Sequence, residues 1–292
     1  MSESVLGGIC SEAWRVITDV ARPGALNMAL DEALLTAHAT GDLPPTLRLY
    51  AWDPPCMSLG YFQRATAEVD LAACAAAGVD VVRRPTGGRA VLHEHELTYS
   101  IVVRQALLPG GVLDTYQVLS QGLLAGLRYL GIKGEQVRPR GRRVGSAHPG
   151  ALAPKDEDGL HAACFDAPSW YETVVKGRKI IGSAQTRRDG VILQHGSLLL
   201  AFDAARLTGL LRVRHAEQRS AIQALLTAKA TSVAEVIGRA VRFEEAARAI
   251  TCGMAAALRL TMFQAGYADE EIKLAKQLYQ DKYATEQWTL RR

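Results

Sequence analysis

Two stretches of this sequence carry residue types that can do chemistry. The first is "RRPTGGRAVLHEHELTYSIVV", Arg83 to Val103, where arginines and a Pro-Thr-Gly-Gly turn precede two histidines and an alternating apolar run. Gly87 and Gly88 let the backbone pass close to a ligand and present its amide N–H groups, while Arg83, Arg84 and Arg89 supply fixed positive charge. That combination suits a phosphate, a pantetheine or an adenylate. The spacing matches neither a Walker A loop nor a dinucleotide fingerprint, and a plain hairpin turn with surface arginines would read the same way.

The second stretch is "CFDAPSWYETVVKGRKIIGSAQTRRDGVILQHGSLLL", Cys164 to Leu200. Cys164 precedes a strand and follows a Gly/Pro/Arg-rich segment, a place where substrate can reach a thiol. Lys179 opens a strand just after a tight turn, so rigid backbone holds its amine. A neighbouring lysine favours the thiolate and can steady an oxyanion on a carbonyl carbon under attack. His161 and His195 are candidate bases. The plain alternative is a buried cysteine acting as a small hydrophobe and a solvated hairpin lysine.

The elements that must position these groups follow from patterning. "AWRVITDV", "TLRLYAWD", "CMSLGYF", "VDVVRRP" and Thr98 to Val103 read as strands. Ala25 to Ala37 reads as an amphipathic helix entered at Pro23, "EVDLAACAAAG" as a short helix closed by Gly78, and Leu113 to Leu130 as a helix ended by Gly131. Lys176-Gly177 and Asp189-Gly190 mark the turns of two successive hairpins. Residues 138–159 read as a mobile loop and residues 203–292 as helical. The expectation is an α+β fold, a mixed and largely antiparallel sheet flanked by helices, in one domain over residues 1–292.

Composition limits the function classes. A chain of 292 residues that is 48% hydrophobic can bury a substantial core, and a net charge of +4 is too slight to imply nucleic acid. No apolar run approaches the roughly 20 residues of a membrane span, and Met1–Cys10 lacks signal-peptide order. The expected location is cytoplasmic. The five cysteines are scattered without zinc-ligand spacing, so reduced thiols and no metal are expected.

The motifs "NMALDEALL", "RRPTGGRAVLH", "GRKIIGSAQTR", "LQHGSLLL" and "KYATEQW", in this order, resemble the biotin/lipoate A/B protein ligase family. "CFDAPSWYE" places the likeness nearest that family's octanoyl-[acyl-carrier-protein]:protein N-octanoyltransferases. The resemblance implies the catalytic-domain fold shared by biotin protein ligases and class II aminoacyl-tRNA synthetases. It implies Cys164 as the acyl-accepting nucleophile and Lys179 as its partner at the acyl carbonyl. It further implies a substrate pocket built from Arg83, Arg84, Thr86, Gly87, Gly88, His93, Gly182, Ser183, Ala184, Gln194, His195 and Gly196. The implied partners are acyl carrier protein and a lipoyl domain such as the glycine cleavage H protein. No cofactor is expected, and octanoate or lipoate would fit the pocket. An ATP-dependent lipoate–protein ligase and a non-catalytic acyl-binding protein are the alternatives. Arg89 departs from the ligase pattern, where a third glycine is usual, and Cys164 has no role in a ligase. Arg138, Arg140, Arg142 and Arg143, close upstream of Cys164, could steer an acidic partner toward it.

Overall fold

The computed structural model describes residues 12–137 and 172–291. Its main sheet has eight strands in the order β11-β1-β2-β6-β10-β9-β8-β7. These are β1 (Trp14–Thr18), β2 (Thr46–Tyr50), β6 (Glu96–Arg104), β7 (Glu135–Val137), β8 (Glu172–Val175), β9 (Arg178–Arg188), β10 (Val191–Leu199) and β11 (Met262–Gln264). β1 runs parallel to both neighbours and every other pairing is antiparallel. The expected mixed, largely antiparallel sheet is present. A second sheet was not expected: β3 (Cys56–Leu59) lies between a parallel β4 (Asp80–Arg83) and an antiparallel β5 (Val91–His93).

Both hairpins turn where the sequence places them. Lys176 and Gly177 (φ 49° and 75°), and Asp189 and Gly190 (φ 51° and 74°), take left-handed conformations in succession. Such two-residue turns match the twist of the flanking strands. The second turn fixes the register that sets His195 opposite Ala184 on β9, and on its other side β10 pairs with β6 so that His195 stands opposite Ser100.

Alternation along the central strands gives the sheet two unlike faces. Leu47, Leu49, Leu97, Tyr99, Ile101, Val103, Ile192 and Leu198 pack with Leu119, Leu123, Leu127, Ile250 and Met254 of two crossing helices. These are α4 (Val112–Tyr129) and α8 (Phe243–Leu258). They approach so closely that a Cβ on Gly253 would lie 2.0 Å from the Gly126 nitrogen. The other face turns Arg48, Tyr50, Ser100 and His195 toward helix α1 (Gly24–Thr40) and carries Thr98 and Ser197, which donate to Glu96. All six are buried.

Two expectations need correction. α1 is buried almost all round rather than amphipathic. Leu34 and Leu35 pack on the sheet, while Leu30 and Ala33 meet α9 (Asp269–Leu278). The stretch read as helical carries several helices between Ala204 and Thr289 joined by short connections, but it also holds β11, whose three residues add to the sheet edge through β1. Three residues are too few for a periodic signal.

Burial of α1 has a consequence for pH. His38, near its C-terminus, is 2% exposed, and its Nε2 has no hydrogen-bond partner. Burial, then the nearby charges of Arg104 and Arg15, push its pKa down to about 4. The unfolded chain, with an ordinary imidazole pKa near 6.5, takes up the proton first as pH falls. This stability is complete above about pH 6.5 and is lost as pH falls toward 4. At pH 5 the loss is about 2 kcal/mol. Denaturant midpoints at pH 7 and pH 5 should therefore separate more for the wild type than for His38→Gln. Equal separations would contradict this origin of acid sensitivity.

Candidate active site

A largely apolar cavity of about 730 Å³, counting its open mouth, lies between the two sheets. Met28 of α1, Tyr50 of β2 and Trp52 beyond it contribute to the wall, together with Thr98 of β6. Arg84, Gly87, Gly88, Val91 and His93 line it from the glycine turn and the small sheet. Lys179, Gly182, Ser183 and Ala184 of β9, and His195, Gly196, Ser197 and Leu199 of β10, complete it.

Lys179 is only 5% exposed, and its Nζ donates to Glu172 Oε1 at 2.7 Å. Lys179 lies opposite Val174 on β8, and its long side chain reaches back along that strand to Glu172 past an irregularity in the pairing between Thr173 and Val174. The carboxylate stabilises a cation that burial would otherwise penalise. Gly182 makes room for it, since a Cβ there would lie 3.0 Å from Lys179 Cε.

Two histidine–carboxylate couples stand on the cavity side of the main sheet. Asp31 of α1 accepts from Arg48 Nη1 (2.8 Å), Tyr50 Oη (2.9 Å), Ser100 Oγ (2.9 Å) and His195 Nδ1 (3.1 Å). Burial alone would raise its pKa, but His195 and Arg48 outweigh that and hold it below the usual carboxylate range. His195 Nδ1 thus carries the proton, and Nε2 accepts from Thr86 Oγ1 at 2.6 Å. Burial pushes the His195 pKa down against the pull of Asp31, so the ring stays neutral.

Glu96 is the second carboxylate and accepts from His93 Nδ1 at 2.7 Å and from Thr98 and Ser197. Its burial is likewise outweighed, by His93 first, and its pKa is lowered. His93 stacks on Trp52 at 4.0 Å, and its Nε2 meets Ser58 Oγ at 2.6 Å. Ser58 in turn accepts from Arg84 Nη1 at 2.6 Å.

Among the residues expected to bind substrate, Arg84, Gly87, Gly88, His93, Gly182, Ser183, Ala184, His195 and Gly196 line the cavity. Arg83, Thr86 and Gln194 do not. Arg83 is fully buried and donates to the carbonyls of Gly60, Tyr61, Gln63, Trp288 and Thr289, because alternation on β4 turns it away from Arg84. Its work is to bind the segment around Trp288 and the loop at Gly60, Tyr61 and Gln63 to the end of β4. Gln194 points to the other sheet face, where it donates to Tyr99 Oη at 3.2 Å and accepts from Gln185 Nε2 at 3.0 Å. Thr86 lies behind the turn against His195.

His195, a candidate base from sequence, has both ring nitrogens engaged. Cys164, His161 and the arginines from Arg138 to Arg143 lie outside the described residues. Sequence reasoning missed Glu172, Trp52, Asp31 and Glu96. The one available signal was a polar residue at every second position of strands β2, β6 and β10, which reads as a solvent face until a helix is found covering it.

The sequence matches the family model described as the lipoyl protein ligase A/B catalytic domain over residues 23–255. A curated relative from Symbiobacterium thermophilum, named octanoyltransferase LipM, is 48% identical, covering 96% of this chain and 98% of its own. A LipM from Kyrpidia tusciae is 45% identical, covering 96% and 100%. The bipartite lipoate protein ligase of Thermoplasma acidophilum superposes with a TM-score of 0.75 at 24% identity, covering 96% of each chain, which speaks for the fold. A lipoate-protein ligase A bound with ATP gives 0.73 at 25%, covering 95% and 98%. The fold is thus the class II synthetase-like α+β fold of these ligases. With the glycine turn, the Lys179 strand and the cavity between them all inside the matched span, the chain belongs to the lipoyl protein ligase A/B catalytic domain family.

Proposed function

We propose that this acyltransferase moves an octanoyl group from acyl carrier protein, through a thioester on Cys164, to a lysine of a lipoyl domain, the glycine cleavage H protein being the foremost candidate. The observation that carries the reading is the buried Lys179 ammonium facing an apolar cavity beside the Gly87-Gly88 backbone. Relatives named octanoyltransferase at 45–48% identity support the acyl group, and the acidic nature of such partners suits the arginines upstream of Cys164.

The chemistry balances without an activating nucleotide. Cys164 thiolate attacks the carrier thioester, a new C–S bond to Cys164 forms, the carrier's C–S bond breaks, and the carrier's sulfur leaves as a thiolate that takes up the proton Cys164 had released. The neutral amine of the acceptor lysine then attacks the Cys164 thioester. The C–N bond forms, the C–S bond breaks, and the amine's proton passes to the departing thiolate. Lys179 and the loop amides would steady the oxyanion in both steps. A thioester is already activated, so neither ATP nor a metal enters the scheme.

The test is incubation with octanoyl-carrier protein and an apo lipoyl domain, with and without ATP, read by intact mass. Octanoylation of the lipoyl domain without ATP is expected. Modification from free octanoate that needs ATP would instead make the chain a ligase. Binding with no transfer would make it an acyl-binding protein.

A further inference from the structure

The glycine turn is held from several sides. The Tyr61 amide donates to the Thr86 carbonyl at 2.8 Å, and Arg84 Nη2 donates to the carbonyls of Gly87 (3.2 Å) and Arg89 (2.9 Å). A Cβ on Gly60 would strike the Gly88 carbonyl at 1.9 Å, so the two loops abut. On the side of the main sheet, the side-chain anchor is Thr86 Oγ1 on His195 Nε2 at 2.6 Å. Gly87, by contrast, has nothing within 4 Å of where its Cβ would be, so its backbone borders open space.

We propose that His195 and Asp31 are positioning residues that act through the Thr86 hydroxyl to hold the Gly87-Gly88 backbone against the acyl group, and that His195 is not the base of the reaction. This rests on the octanoyl transfer proposed above. The ring cannot accept a proton at Nδ1, which already donates to Asp31. Accepting one at Nε2 would break the Thr86 contact and place a cation in a buried wall. Asp31 fixes the tautomer, and four donors fix Asp31. A shift of about 1 Å in a group aligned with the reacting atoms can cost about 10² in rate, so this anchor matters although it touches no reacting atom.

The test combines His195→Leu, His195→Gln, Thr86→Val and the Leu/Val double variant. Removing His195 leaves Asp31 three donors, and a Gln carbonyl can still accept from Thr86. The expected result is a kcat fall of about 10- to 100-fold for His195→Leu and Thr86→Val, with KM for octanoyl-carrier protein unchanged. The double variant should be no slower than the slower single variant, and His195→Gln should recover most of the rate. Amide hydrogen exchange across residues 84–90 should quicken in both single variants. Losses that multiply in the double variant would overturn the proposal, as would a slow His195→Gln beside a fast Thr86→Val. If His195→Leu does not fold, Thr86→Val with wild-type kcat and wild-type exchange overturns it alone. If the wild type transfers no octanoyl group, the proposed function fails, while the exchange data still decide whether His195 holds the loop.

Discussion

Cys164→Ala should gain no acyl mass from octanoyl-carrier protein and transfer none to a lipoyl domain, while the wild type gains one hydroxylamine-labile octanoyl group. The structure narrows the competition among the other described thiols, Cys10 lying outside the described residues. Cys56 and Cys74 are fully buried. Burial raises the Cys56 pKa well above the ordinary thiol value and, with the Asp70 charge adding to it, pushes Cys74 up to about 11. Neither offers a thiolate near neutral pH, and the thiolate is the nucleophile. Cys252 is exposed but belongs to α8, which packs on the sheet face opposite the cavity. Cys252→Ser should therefore load and transfer like the wild type. An acyl adduct that persists in Cys164→Ala and disappears in Cys252→Ser would move the nucleophile and sink the proposed geometry.

Lys179→Ala should slow octanoyl transfer by about 10²–10³ while the protein remains folded, the usual cost of one oxyanion donor. The side chain lies at the cavity wall with its Nζ on Glu172, so its charge is oriented before substrate arrives. Pre-set charge needs no reorganisation during the reaction, which is why it is effective in a water-poor site. Lys179→Arg should not restore the rate, because a planar fork directs its charge differently from a compact ammonium. Gly182→Ala gives a second arm: the added methyl would meet Lys179 Cε at 3.0 Å and Nζ at 3.3 Å, displacing the tip of a flexible side chain and no backbone. It should lower kcat with little change in thermal midpoint. Full activity in a folded Lys179→Ala would return Lys179 to a structural role, pairing with Glu172 on β8.

Local chemistry made much of this protein legible from its sequence. Consecutive left-handed residues at Lys176-Gly177 and Asp189-Gly190 can only turn a hairpin tightly, so β8–β9–β10 could be drawn from the chain alone. Gly78 and Gly131, at φ 65° and 77°, end helices for the same reason. The glycine turn could be read as a type suited to a phosphate, a pantetheine or an adenylate, and Lys179 as a charge for a carbonyl under attack, because backbone freedom and charge are properties of single residues.

Burial on both sides of a strand, and the partners it brings, were not legible. Thr98, Ser100, His195 and Ser197 alternate with apolar neighbours as if facing water, yet α1 and the small sheet cover them. Only long-range packing places Asp31 beneath His195, 164 residues away, whereas Glu96 meets His93 from three residues along the chain. The same packing gives Arg83 to the carbonyls near the far end of the chain, 205 and 206 residues away, while its neighbour Arg84 reaches the cavity. Sequence determined which residues could turn, cap and carry charge, since those are local preferences. Which of them face the same cavity was decided by tertiary structure, because alternation gives each strand two faces and the layers stacked on them decide which face is wet.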